Sequence, residues 1–152
     1  MNAQDPVELR ALGPADHDHW MPLWRGYQAF YRVDIPAATS AITWRRLLDV
    51  AEPMAGALAW KGARAVGLVH WIYHRSCWTV GNYCYLNDLF VEPGLRGAGT
   101  GRLLIEHVYA QAAAAGCSRV YWLTHESNTT AMQLYDRIAE RSGFIQYRHT
   151  PG

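Results

Sequence analysis

Glu92-Pro-Gly-Leu-Arg96-Gly97-Ala98-Gly99-Thr100-Gly101 decides how this chain is read, because of what stands on either side of it. Before it runs Tyr83-Cys-Tyr-Leu-Asn-Asp88-Leu89-Phe90-Val91, an apolar stretch that reads as a strand ended by Pro93-Gly94. After it, Leu103, Leu104, His107, Val108 and Ala112 recur at helical spacing from Thr100 to Ala115, with Gly116 placed as the stop. The loop therefore joins a strand to the N-terminus of a helix. Gly97, Gly99 and Gly101 let the backbone approach a ligand closely, and the helix start aims unpaired N–H groups and a positive dipole end at the same place. This predicts an anion site, to which Arg96 and Arg102 can add guanidinium forks. A P-loop is disfavoured because GxxxxGK[ST] needs a lysine and only Lys61, far upstream, exists. A Rossmann fingerprint is disfavoured because Arg102 stands where its third glycine belongs. The remaining alternative is a glycine-rich turn that only tightens the connection.

Outward from the loop, the chain alternates strand-like and helix-like patterns. Val7 to Leu12 has the two-residue period of a half-buried strand, stopped by Gly13-Pro14. Trp20, Met21, Leu23, Trp24, Tyr27, Phe30 and Tyr31 form one face of a helix over 15–31 that continues through Pro22. Thr39 or Ser40 can cap a second helix carrying Ile42, Leu47 and Leu48. Ala55 to Trp60 and Ala65 to Tyr73 flank Lys61-Gly62-Ala63-Arg64 as a hairpin. Downstream, Val120 to Thr124 is strand-like, Asn128 or Thr129 caps a helix through Arg141, and Phe144 to Tyr147 closes as a strand. The expected order is β-α-α-β-β-β-α-β-α-β, a mixed α/β (α+β) sheet flanked by helices in a single domain over residues 1–152.

Composition agrees with such a domain. Fourteen Lys+Arg against 13 Asp+Glu give a net charge of +1, without the field of a nucleic-acid or polybasic membrane binder. No apolar run approaches the roughly 18 residues of a membrane span, and MNAQDPVELR lacks signal-peptide character, so a cytoplasmic address is expected. Cys77, Cys84 and Cys117 have no metal-site spacing, and no metal is expected. Of the 14 basic residues 13 are Arg, so anion recognition falls to guanidinium groups and backbone amides.

The stretch Arg96-Gly-Ala-Gly99-Thr-Gly101 resembles the acyl-CoA pyrophosphate loop, Gln/Arg-x-x-Gly-x-Gly/Ala, of the GCN5-related N-acetyltransferase (GNAT) superfamily. Asp88-Leu-Phe-Val91 and Leu103-Leu104-Ile105 around it look similar too. A second block, Asn128-x-x-Ala131-x-x-Leu134-Tyr135 followed by Gly143-Phe144, resembles the family's last helix and strand. Tyr121-Trp-Leu-Thr124, Leu134-Tyr135-Asp136-Arg137 and Gly143-Phe144-Ile145 further resemble the branch with the yeast histone, polyamine and D-amino-acid acetyltransferases. Seven residues separate Tyr135 from Gly143, more than in most of the superfamily.

The resemblance implies direct attack of a small-molecule amine, an amino acid or polyamine, on acetyl-CoA. Residues 96–102 (Arg96, Gly97, Ala98, Gly99, Thr100, Gly101, Arg102) would hold the diphosphate, and backbone amides of Leu89, Phe90 and Val91 would face the acyl oxygen. Asn128 would bond the pantetheine amide, and Tyr135 would protonate the departing thiolate. An amine of pKa about 10 is nearly all protonated at pH 7, so deprotonation is required. Asp88 is the leading candidate base, directly or through water; the alternative is a side chain facing the helix side or capping a turn. His70, His74, His125 and Glu126 can line the acceptor pocket or be satisfied surface and core groups. Trp24, Tyr27, Tyr31 and Trp71 can form an aromatic wall. Alternative functions are a non-catalytic acyl-CoA sensor and a protein or histone lysine acetyltransferase. A homodimer is compatible with the sequence.

Overall fold

The computed structural model describes residues 5–152; the first four, part of the N-terminal stretch read above as lacking a leader, lie outside the described residues. The chain groups into two compact units, one ending at Trp122 and the other running Leu123–Gly152. The first contains β1 (Val7–Ala11), a 3-10 turn at Pro14–Asp16, α1 (His17–Tyr31), α2 (Ala37–Leu48), β2 (Met54–Lys61) and β3 (Arg64–His74). It continues with β4 (Tyr83–Val91), a 3-10 turn at Pro93–Leu95, α3 (Thr100–Ala114) and β5 (Arg119–Tyr121). The second unit contains α4 (Thr129–Ile138).

The mixed α/β reading holds. Five strands form one sheet in the order β1-β2-β3-β4-β5. The first three pairings are antiparallel, and β5 lies parallel to β4. A parallel neighbour needs a crossover, which α3 supplies. Side chains alternate across the sheet, so each face has its own helices. Trp20, Leu23 and Trp24 of α1 and Leu47 of α2 pack with Leu58, Trp60, Leu68 and Phe90. The neighbouring residue Gly67 points the other way, where a Cβ would stand 3.1 Å from Leu104 of α3. Close approach of α3 to β3 is thus the reason for glycine at 67. On the α1 side, a Cβ at Gly26 would stand 2.7 Å from the Phe90 ring, so glycine there lets α1 settle onto β4.

Four expectations are corrected. Residues 144–147 form no strand: the backbone after α4 has no ladder partner among the described residues, and without one an apolar run is not a strand. The Phe144 N–H is instead satisfied by the Ser142 hydroxyl at 3.2 Å. The preceding helix stops at Ile138 rather than Arg141, whose guanidinium turns back onto Asp136. Strand β5 is Arg119–Tyr121 and does not continue to Thr124, because its β4 pairing ends at Tyr85. Neither Thr39 nor Ser40 caps α2, which starts at Ala37; the Ser40 hydroxyl accepts the Trp24 indole N–H at 3.0 Å.

Candidate functional site

The sheet opens where the chemistry was expected. Ladder pairs between β4 and β5 run only from Tyr83↔Arg119 to Tyr85↔Tyr121. On its other edge β4 stays paired to β3, but the register shifts at His70/Trp71, so that Asn87 is passed over and His70 faces Asp88. The Glu92 N–H donates to Val66 O at 2.9 Å. By the alternation of an antiparallel ladder, the amides of Val91 and Leu89 then point away from β3, toward the unpaired edge. Phe90 does not join them: its N–H faces β3 and its ring packs under α1.

The loop after β4 is built to leave amides exposed. Gly97 and Gly99 have φ of 85° and 88°, a left-handed conformation that disfavours any side chain. A Cβ at either would find nothing within 4 Å, so the space above both is open. Gly99 is the N-cap of α3, and its carbonyl accepts the Leu103 N–H at 3.1 Å. The amides of Gly99, Thr100, Gly101 and Arg102 therefore begin a helix without intrahelical acceptors, at its positive end. Gly101 is ordinary helix and does not share the left-handed requirement. Ala98 closes a turn through its N–H to Leu95 O at 3.4 Å.

The two arginines are held locally. Arg96 donates from Nε to Val91 O at 3.1 Å, and its guanidinium lies 4.7 Å over the Phe30 ring. Arg102 donates from Nε to Glu106 at 2.6 Å, an i,i+4 pair on the exposed face of α3.

Beneath α1 the character of the site changes. Asp88 is 7% exposed and His70 2% exposed. Trp20 Nε1–H donates to His70 Nε2 at 2.9 Å. That nitrogen must carry the lone pair, which places the ring proton on Nδ1, 2.9 Å from Asp88 Oδ2. Asn87 Nδ2 donates to the same oxygen at 2.9 Å, and Tyr27 adds its hydroxyl to the carboxylate. Burial pushes the Asp88 carboxyl up, but the hydrogen bond from His70, with those from Tyr27 and Asn87, outweighs it and holds the group below the usual carboxylate range. The Tyr27 hydroxyl is raised, first by burial and then by the Asp88 charge, so it remains a donor.

An aromatic ladder along α1 backs this network. Trp20 stacks on Trp24 at 5.7 Å, Trp24 on Tyr27 at 5.1 Å, and Tyr27 meets Tyr31 at 4.8 Å. Trp71 is not part of the ladder: it lies against His107 of α3 and donates to the Tyr73 hydroxyl. His74 is an exposed partner of Tyr121. The link from Trp20 through His70 to Asp88 had no signal in the local pattern, since Trp20 reads as helix core and His70 as an isolated strand histidine.

In the second unit, Asn128 holds the N-cap position of α4: its backbone carbonyl accepts the Met132 N–H at 3.1 Å, while its side chain bonds none of the helix amides and donates from Nδ2 to Thr124 Oγ1 at 3.2 Å. Tyr135 lies on α4, seven residues further on. His125 pairs with Ser127 at 2.7 Å.

This arrangement agrees with what the chain is similar to. The sequence profile of the Acetyltransferase (GNAT) family matches residues 20–139. The D-amino-acid N-acetyltransferase HPA3 of Saccharomyces cerevisiae is 34% identical over 146 residues, 95% of this chain and 91% of that protein. The thialysine N-epsilon-acetyltransferase of Sus scrofa is 37% identical over 75 residues, 49% of this chain and 42% of that protein. In solved structures, the aminoglycoside acetyltransferase AAC(6')-Iy in complex with a bisubstrate analog superposes with a TM-score of 0.84 at 16% identity, over 97% of this chain and 99% of that one. This last likeness shows the shared fold alone. An open β4 edge, a left-handed glycine loop at a helix start and a relative matched over nearly its whole length converge: the chain belongs to the GNAT acetyltransferase family.

Proposed function

We propose that this protein is a small-molecule N-acetyltransferase that moves an acetyl group from acetyl-CoA to a primary amine by direct attack in a ternary complex. The observation that carries this reading is the placement, on one strand, of outward amides at Leu89 and Val91 beside a buried anionic Asp88, with an open glycine loop at the strand's end. The loop fits a diphosphate: the space over Gly97 and Gly99 is clear, the α3 amides point there, and residues 93–102 carry no acid. When bound, acetyl-CoA supplies an activated thioester.

The chain's own residues do the rest. The amides of residues 97–102 hold the diphosphate, while Arg96, braced on Val91 O and Phe30, fixes the path of the loop. The Leu89 and Val91 amides face negative charge as it develops on the acyl oxygen. Asp88 attracts the acceptor ammonium and relays its proton, directly or through one water. Its low basicity makes it a better anchor and relay than a terminal proton sink. By the resemblance of its motif, Asn128 would bond the pantetheine arm and Tyr135 would protonate the leaving thiolate. An amino acid or polyamine acceptor is supported by the names of the relatives, one acting on D-amino acids and another on thialysine.

The test is thiol release from acetyl-CoA across polyamines, D- and L-amino acids and lysine peptides. Release with a small amine supports the proposal; CoA binding without release for any amine contradicts it. Tyr135→Phe should lower turnover about tenfold or more while leaving CoA affinity intact. Unchanged turnover would remove Tyr135 from that role.

A further inference from the structure

We propose that His70 and Trp20 are positioning residues of the acceptor site: the Trp20 indole fixes the tautomer of His70, and His70 in turn aims and holds the Asp88 carboxylate. This inference rests on the transferase reading above and deepens it. The geometry leaves His70 no other part. Its Nε2 accepts from Trp20 at 2.9 Å and its Nδ1 donates to Asp88 at 2.9 Å, so neither nitrogen is left to take a proton from a substrate. An imidazole backed by a donor is also the one orientation in which a neutral ring offers a proton to the carboxylate.

Asp88 needs such support. It is buried, and the one basic partner it has among the described residues is His70. The groups facing it are Tyr27 and Tyr31 from α1, His70 from β3 and Asn87 from β4; Arg96 acts on Tyr31 from the loop, and Tyr85 acts on Tyr27 from β4. A carboxylate has about four acceptor positions. His70, Asn87 and Tyr27 use three, which leaves one for an acceptor ammonium or its water. Without His70 the carboxyl would keep its burial and lose its strongest donor, so it would be protonated at higher pH and swing toward Asn87.

The experiment compares His70→Asn with His70→Gln. The Asn Nδ2 sits near the position of the imidazole Nδ1 and can keep the donor to Asp88 while leaving Trp20 unpaired. Gln reaches toward Trp20 and gives up the Asp88 donor. Each leaves one buried group unsatisfied, so a merely structural role predicts equal losses. Two readouts are taken: the acidic limb of kcat/KM for the amine, and the titration of Asp88 by carbon-13 carboxyl NMR, assigned through Asp88→Asn. We expect His70→Gln to lose about tenfold or more in kcat/KM and to move both midpoints up by about one pH unit. His70→Asn should stay close to the wild type, and CoA affinity should be the same in all three proteins. Equal behaviour of Asn and Gln, or an Asp88 titration that does not move in His70→Gln, overturns the proposal. A wild-type protein that binds CoA and releases no thiol with any amine removes the transferase reading, and the role of His70 with it.

Discussion

Two regions of the first unit show opposite kinds of order. Beneath α1, Trp20, His70 and Asp88 form a buried chain of hydrogen bonds, and half-buried Tyr27 and exposed Asn87 add their donors to the carboxylate. At the start of α3, Gly97 and Gly99 hold a strained-for-others conformation with nothing above them, and the helix amides are left without acceptors. Under the proposed function, the difference follows from what each region would meet. A group that handles a proton has to be aimed before the substrate arrives, because a misdirected carboxylate is a poor anchor. A cradle for a doubly charged, well-hydrated diphosphate has to keep its donors uncommitted, since any internal partner would compete with the ligand.

The comparison can be broken most sharply at Gly99. Replacing it by Glu puts a side chain at φ 88° and a negative charge into the cradle. CoA affinity measured by calorimetry should fall by roughly a hundredfold or more, while circular dichroism still shows a folded protein; retained binding would contradict the loop assignment. Next in size is Asp88→Asn, which removes the charge and keeps the shape. Its kcat/KM for the amine should fall about a hundredfold with CoA affinity unchanged. If CoA binding fell equally, the two regions would not be separate.

The same carboxylate sharpens the comparison through pH. Its folded-state pKa lies below the unfolded one, so its contribution to stability is complete above the ordinary carboxylate range and is lost as pH falls through the folded value. Urea midpoints should therefore drop on acidification in the wild type and drop less in Asp88→Asn. Trp20→Phe, which removes the indole donor and part of a fully buried ring, should cost about 2 kcal/mol in urea unfolding. Arg102→Ala should be the mildest. It breaks an exposed i,i+4 pair with Glu106 and should change stability by less than about 0.5 kcal/mol.

Much of the open region was legible in the sequence because its signals are local. Strand β4 has the predicted limits Tyr83–Val91, since Pro93-Gly94 cannot extend a ladder and the apolar run is continuous. Helix α3 begins at Thr100 as the glycine pattern indicated. The links of the other region were not legible, because Trp20 and His70 are 50 residues apart and His70 and Asp88 are 18 apart, and only the packing of α1 on the sheet and the register of β3 on β4 bring them together. Arg96 reads as a phosphate fork from its place in the motif, and its contact with Phe30 of α1 is a tertiary fact that the motif does not carry. The residues 144–147 show the converse failure. Their composition is that of a strand, but a strand is defined by its neighbour and none of the described residues pairs with them.

The most direct test of the account is a titration of the nitrogen-15 amide spectrum with CoA. The signals of Gly97, Gly99, Thr100, Gly101 and Arg102 should shift strongly and saturate together, while the Trp20 indole N–H, locked on His70, stays in place. Loop amides that do not move while the indole resonance does would contradict it.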